Sequence, residues 1–207
     1  MGVFQKLAAV QAGLLAVQTM LYFGVEALEG KPHNVESSWD RYIPFVPGWI
    51  FVYILWFPLI ALYPLALFRA SAAMYGAYIA AIAADIVLSL VCYLAYPTSF
   101  QRPLPPDTAV GRVVQAVYRG SYRGLNCAPS MHCSMCYLII VTAFLCPALS
   151  FGVRVTAALL SFGIVLSTLY TKQHVLIDVL SALPLAAICW GVGVRWSAAP
   201  LLRWLAG

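Results

Sequence analysis

The chain has 207 residues, of which 63% are hydrophobic and only 9% are charged. Soluble proteins carry roughly 25% charged residues, so this composition excludes an ordinary soluble domain and indicates a protein whose solvent is the lipid bilayer. The formal net charge of +5 comes without a run of Lys or Arg, which argues against a nucleic-acid-binding surface. We therefore treat residues 1–207 as one membrane domain.

Six apolar stretches predict an all-α bundle of six transmembrane helices, because crossing about 30 Å of hydrocarbon takes roughly 20 residues. They are Leu7–Leu28, Trp49–Phe68, Ser71–Tyr96, Ser134–Ser150, Arg154–Tyr170 and Val175–Trp196. No small-residue cleavage site follows the first stretch, so we expect it to remain as a membrane helix and not to be a signal peptide. Asp85 lies midway along the third stretch, where a charge is costly, so its side chain is expected to face the bundle interior.

Polar residues concentrate in three connections, at residues 29–47, 97–131 and 171–174. In a chain of six spans these connections share one side of the membrane, and both termini lie on the other. The terminus side carries five basic residues and the connection side seven, together with most of the acidic residues. A binding site can hold several of those seven, so we expect cytoplasmic termini in a cell (inner) membrane and an extracytoplasmic site.

His174 and Asp178 open the last stretch, four residues apart, which on a helix puts them on the same face. A carboxylate that accepts a hydrogen bond from one imidazole nitrogen fixes the tautomer and raises the basicity of the other nitrogen. This arrangement makes histidine a good nucleophile, and the pair predicts covalent catalysis on His174.

A second histidine, His132, ends the long polar connection within the sequence Pro-Ser-Met-His. Cleavage of a phosphate ester requires protonation of the leaving alkoxide, and a histidine near neutral pKa is suited to that task. Cations must hold the remaining phosphate oxygens, and the candidates on this side are Arg102, Arg123 and Lys172. The sequence therefore predicts active-site segments at about 97–134 and 167–178.

These residues resemble the type 2 phosphatidic acid phosphatase superfamily. Pro-Ser-Met-His at 129–132 is similar to its second signature, Ser167 through His174 to Asp178 to its third, and Arg102-Pro103 to the end of its first. The resemblance covers about 97–178. It implies a phosphohistidine intermediate on His174, oriented by Asp178, with His132 as the acid. It also implies that Ser130, Arg102 and nearby backbone amides hold the phosphate of a lipid substrate without a metal ion or other cofactor.

The sequence departs from the family pattern at three positions. Ala95 stands where the first signature has Lys, Met131 where the second usually has Gly, and Thr168 where the third usually has Arg. Lys172 is placed to supply a missing charge. The loss of two cations also resembles the phosphotransferase branch, similar to sphingomyelin and inositol phosphorylceramide synthases, which pass a phospho-headgroup to an alcohol and not to water.

Other interpretations of the same residues stay open. Ser130 is also suited to cap the fourth helix, Arg123 to be a solvated loop residue, and Lys172 to reach toward lipid headgroups. Two histidines among membrane helices can bind haem, which a colourless purified protein would exclude. An inactive scaffold or transporter with a decayed site would release no phosphate from any lipid.

Overall fold

The computed structural model describes residues 2–28, 30–120 and 128–206, and its secondary structure confirms the predicted all-α class. A two-residue parallel bridge joins β1 (His33–Asn34) to β2 (Thr98–Ser99), and short 3-10 turns occupy Ser38–Tyr42 and Pro47–Trp49. The helices are α1 (Val3–Leu28), α2 (Ile50–Ile54), α3 (Trp56–Ala70), α4 (Ala72–Ala95), α5 (Ala109–Gly120), α6 (Met131–Leu145), α7 (Phe151–Tyr170), α8 (Leu176–Trp196) and α9 (Ala199–Ala206).

Five helical segments of the described chain are long and apolar enough to cross a membrane, as a multi-pass membrane protein requires. They are Val3–Val25, Pro47–Ala70, Ala72–Ala95, Phe151–Tyr170 and Leu176–Trp196. The prediction of six spans is confirmed for these five. The predicted fourth span corresponds to α6, which has only 15 residues and at 1.5 Å per residue is about 22 Å long, less than the hydrocarbon thickness.

The predicted bounds of the fourth span, Ser134–Ser150, were wrong at both ends. The helix begins at Met131 because the Ser130 hydroxyl accepts a hydrogen bond from the backbone N–H of Cys133 at 3.3 Å. It ends at Leu145 because Pro147 disfavours helical geometry in the preceding residue. His132 therefore lies in the first turn of a helix and not at the end of a loop.

The second span is interrupted, since α2 ends at Ile54 and α3 begins at Trp56. Pro58 lies in the first turn of α3, where its missing N–H is tolerated and where it cannot donate to the carbonyl of Ile54. The interruption separates Tyr53 on α2 from Trp56 on α3, yet both side chains stay buried.

The core is built around α4 and α8, which approach closely through small residues. A side chain at Gly193 of α8 would collide with the backbone carbonyl of Ala77 on α4, so glycine is required for this contact. Helices α6 and α7 pack beside this pair, and α1 packs against α4 and α9. The Asp85 side chain is fully buried in this core and accepts a hydrogen bond from Ser134 at 2.9 Å, so its predicted interior orientation is confirmed.

The three polar connections meet at one end of the bundle, as predicted. The backbone N–H of Val46 donates to the carbonyl of Tyr170 at 2.8 Å, and the Tyr118 hydroxyl on α5 donates to the carbonyl of Thr171 at 2.8 Å. The chain termini meet at the other end, where the Lys6 ammonium group donates to the carbonyl of Trp204 at 2.9 Å.

Candidate active site

His174 lies in the turn between α7 and α8, in direct contact with Asp178. The Nδ1 atom of His174 is 3.1 Å from Oδ2 of Asp178, whose side chain is fully buried. The same oxygen accepts the backbone N–H of Val175 at 3.0 Å. Helix α8 begins at Leu176, so His174 lies before the helix. The contact between His174 and Asp178 forms because the Asp178 side chain folds back to cap the first turn of α8. The carboxylate occupies Nδ1, which leaves Nε2 as the nitrogen that can react.

His132 faces His174, with 6.0 Å between the centroids of the two imidazole rings. Its Nε2 atom is 3.1 Å from the hydroxyl oxygen of Tyr53, within hydrogen-bonding distance. The rings of Tyr53 and Trp56 lie against it, with centroid distances of 5.1 and 4.3 Å. These contacts hold the imidazole in place and limit its exposure to water.

Both histidines line one cavity of about 370 Å³, a size typical of small-molecule sites. Most of its wall is aromatic or aliphatic, and its polar members include both histidines, Arg102 and Gln173. The α1 side of the wall consists of Leu15, Gln18, Thr19, Tyr22 and Phe23; the remainder consists of Tyr53, Trp56, Phe57, Tyr93, Arg102, Val117, Gly120, Met131, His132, Gln173 and His174.

Arg102 brings a positive charge into this cavity. Its guanidinium carbon lies 5.1 Å from the ring centroid of Tyr118 and 5.9 Å from that of Phe100. Burial raises the pKa of the Tyr118 hydroxyl to about 12, against the opposing effect of the Arg102 charge, so the hydroxyl stays protonated and donates to the carbonyl of Thr171. Arg102 and the turn that carries His174 are thus linked through one tyrosine.

The remaining candidates for phosphate binding lie outside the cavity wall or outside the described residues. Ser130 is fully buried; its hydroxyl caps α6 and its backbone N–H donates to the backbone carbonyl of Asp178 at 3.1 Å. The ammonium group of Lys172 donates to the backbone carbonyl of Asp40 at 2.9 Å. Arg123 lies in the segment 121–127, outside the described residues. Phosphate binding by these three side chains stays a prediction.

Asp40 has a structural role that the sequence analysis did not predict. Its Oδ1 atom accepts the backbone N–H of Leu176, the first residue of α8, at 2.7 Å. Its Oδ2 atom accepts both the N–H and the hydroxyl of Ser37, at 2.8 and 2.7 Å. The spacing Ser-x-x-Asp at 37–40 is a capping signature that could have revealed part of this role. The first polar connection is therefore tied to the start of the helix that carries Asp178.

Asp40→Asn is expected to lower the melting temperature by about 3–12 °C, because a hydrogen bond to a carboxylate contributes about 1.5–3 kcal/mol and each kcal/mol corresponds to about 2–4 °C in a chain of this size. Burial raises the pKa of Asp40, but the bonds from Ser37 and Leu176 and the charge of Lys172 outweigh it, so the pKa lies below its ordinary value. The stabilisation is therefore present above the ordinary carboxyl pKa and is lost as the pH falls through the lowered one.

Thermal melts of wild type and Asp40→Asn in detergent at several pH values check this expectation. The difference in melting temperature should shrink as the medium becomes more acidic. Asp107→Asn is the control, since the ion pair of Asp107 with Arg112 at 3.6 Å is exposed and contributes little to stability. An Asp107→Asn effect as large as that of Asp40→Asn would contradict the assigned role.

If His174 is the nucleophile that the sequence predicts, Asp178→Asn is expected to reduce turnover by about 10³-fold or more, because an amide cannot hold His174 in the required tautomer or stabilise its positive charge. Asp85→Asn is the matched control, as Asp85 is equally buried but does not line the cavity. Steady-state kinetics of the two variants should separate them clearly. Similar losses in both would point to a general packing defect.

Tyr53 and Trp56 were also missed by the sequence analysis. No sequence signal identifies them, because they reach His132 from a part of the chain about 80 residues away.

Within residues 2–28, 30–120 and 128–206, no group of three or more His, Cys, Asp or Glu side chains is arranged to hold a metal ion. Comparison with known proteins finds no matching family model, no matching curated protein and no matching solved structure.

Proposed function

We propose that this chain is a membrane enzyme that cleaves a lipid phosphate ester through a phosphohistidine on His174. The observation that carries the proposal is that His174, bonded to Asp178 at 3.1 Å, and His132 line one cavity together with Arg102. A nucleophile, its orienting carboxylate, a second imidazole and a cation are the groups that metal-independent phosphoryl transfer requires. The resemblance of segments 97–178 to the type 2 phosphatidic acid phosphatases supports the same chemistry.

In the first step, Nε2 of His174 attacks phosphorus, and the bond from phosphorus to the lipid oxygen breaks. His132 gives a proton to the departing oxygen, so the lipid leaves as an alcohol. Asp178 stabilises the positive charge on His174, and Arg102 holds a non-bridging oxygen. In the second step, His132 takes a proton from water, the water oxygen bonds to phosphorus, and the bond from phosphorus to Nε2 breaks. Phosphate leaves and both histidines return to their starting states.

A lipid is the substrate class that the surroundings favour. The cavity wall is largely apolar, and one side of it is formed by α1, a helix long and apolar enough to cross a membrane. A lipid can keep its chains in the bilayer while its phosphate reaches the histidines. We propose that the site lies on the extracytoplasmic side of the cell (inner) membrane, with cytoplasmic termini. The raw count of basic residues, five on the terminus side against seven on the connection side, points the other way, but a binding site can hold several of those seven.

A second candidate is transfer of a phospho-headgroup to an alcohol. Arg102 is the one Lys or Arg among the described residues that line the cavity. Thr168, where the family usually has Arg, is fully buried, and its backbone carbonyl accepts the N–H groups of Gln173 and His174 at 2.9 and 3.1 Å. A site with few cations is better matched to the single charge of a phosphodiester than to the two charges of a monoester.

Assays of purified protein in detergent test both candidates. Phosphate release from a panel of lipid phosphates, absent in His174→Ala, would support the phosphatase. Headgroup transfer from a phospholipid to an alcohol, again absent in His174→Ala, would support the phosphotransferase. Neither product with any substrate would contradict the proposed function.

A further inference from the structure

Two side-chain nitrogen atoms, each in a residue of the cavity wall, are buried and have no hydrogen-bond partner in the described part of the chain. They are Nε1 of the Trp56 indole and Nε2 of the Gln173 amide, and each of the two residues is only 3% exposed. Buried N–H groups are nearly always paired, and those that are not call for a specific explanation. Because both nitrogens belong to side chains of the same cavity wall, a ligand in that cavity is the explanation we pursue.

The two residues flank the pair of histidines. The Trp56 ring lies 4.3 Å from the ring of His132, between centroids. Gln173 directly precedes His174, and the backbone N–H groups of both residues donate to the carbonyl of Thr168, which fixes this turn. One donor therefore accompanies each histidine.

Both groups are neutral donors, since an indole N–H can only donate and the unpaired atom of the amide is its nitrogen. The ligand they suit presents acceptor oxygens on more than one side. A tetrahedral oxyanion such as phosphate does so, and Arg102, in the wall of the same cavity, matches its charge. A hydrocarbon chain would leave both donors unpaired.

We propose that Trp56 and Gln173 bind the non-bridging oxygens of the substrate phosphate, one beside each histidine. This inference rests on the proposed function, which supplies the phosphate, and it adds two binding residues to those that the motifs predict. The phosphate is then held by neutral donors from the second span and from the turn before α8, in addition to Arg102. The cavity can thereby bind an oxyanion although Ala95 and Thr168 stand where the family pattern has Lys and Arg.

The test uses tungstate, a tetrahedral oxyanion, with the full-length protein in detergent. The variants are Trp56→Phe, which keeps the ring and removes the N–H, and Gln173→Glu, which keeps the shape and adds a repelling charge. The readouts are the rise in melting temperature caused by tungstate and the inhibition of product formation. We expect each variant to weaken tungstate binding at least about tenfold, which is the loss of one hydrogen bond to a charged group.

Trp49→Phe is the matched control, because Trp49 stacks on Tyr170 at 4.9 Å and does not line the cavity. It should bind tungstate as wild type does. Wild-type tungstate affinity in Gln173→Glu would overturn the proposal, even if Trp56→Phe fails to fold. If the wild-type protein is active and neither variant alters tungstate binding, the roles proposed here for Trp56 and Gln173 are rejected and the proposed function stands. Tungstate binding that depends on both residues, in a protein without activity on any lipid, would reject the proposed reaction and keep the anion site.

Discussion

Replacing His174 with alanine is expected to abolish product formation, with a loss of at least about 10⁴-fold, because the variant lacks the proposed nucleophile that accepts the phosphoryl group. Residual catalysis from Arg102 and the second imidazole cannot replace a covalent intermediate. The variant should still fold, since His174 belongs to the cavity wall and its backbone N–H, which bonds to Thr168, is retained. Product formation measured with the best substrate of wild type checks this expectation.

His33→Ala provides the matched control. His33 is exposed, stacks on Tyr96 at a centroid distance of 4.3 Å, and does not line the cavity. Its replacement should leave activity within about twofold of wild type. Substantial activity in His174→Ala, or equal losses in both variants, would show that His174 is not the nucleophile.

Replacing His132 with glutamine is expected to slow turnover of a lipid phosphate by about 10²–10⁴-fold, the usual contribution of a general acid. The effect should depend on the leaving group, because a nitrophenolate departs without protonation and a lipid alkoxide does not. With p-nitrophenyl phosphate, the variant should release about one equivalent of nitrophenol per enzyme in a rapid burst. Turnover should then be slow, since the proposed mechanism also needs His132 to activate water.

Rapid-mixing measurements of nitrophenol release separate these phases. Tyr53→Phe is an informative companion variant, as it removes the hydroxyl that lies 3.1 Å from Nε2 of His132 and keeps the ring beside it. It should show a smaller loss than His132→Gln. If His132→Gln slows the first turnover of both substrates equally, His132 does not protonate the leaving group.

The five confirmed spans were predictable because a long apolar stretch is enough to indicate a membrane helix. The ends of α6 and the break after Ile54 were not, because they depend on local details such as the Ser130 cap and the position of Pro58. A hydropathy profile does not register the Ser130 hydroxyl that accepts one backbone N–H. That hydrogen bond nevertheless starts α6 at Met131, three residues before the predicted start at Ser134. The shift carries His132 into the helix and toward Tyr53.

The site was predictable where its residues are neighbours in sequence, as His174 and Asp178 are. The spacing correctly indicated their contact, although the contact forms at a helix cap and not along a helix face. Contacts that join distant parts of the chain were not predictable, such as Trp56 against His132 or Asp40 with Leu176. The same holds for Lys172, whose charge suggests phosphate binding but whose ammonium group bonds to a carbonyl of the first polar connection.

The most direct test of the account is detection of the covalent intermediate. Wild-type protein is mixed briefly with a substrate labelled at phosphorus, quenched, and analysed for label on the protein, beside His174→Ala and His132→Gln. In wild type, the account predicts a label on His174 that survives alkali and is released by acid. The label should be absent in His174→Ala. It should accumulate in His132→Gln when the leaving group is a nitrophenolate. An active wild-type protein that carries no such label, or carries it on another residue, would contradict the central claim.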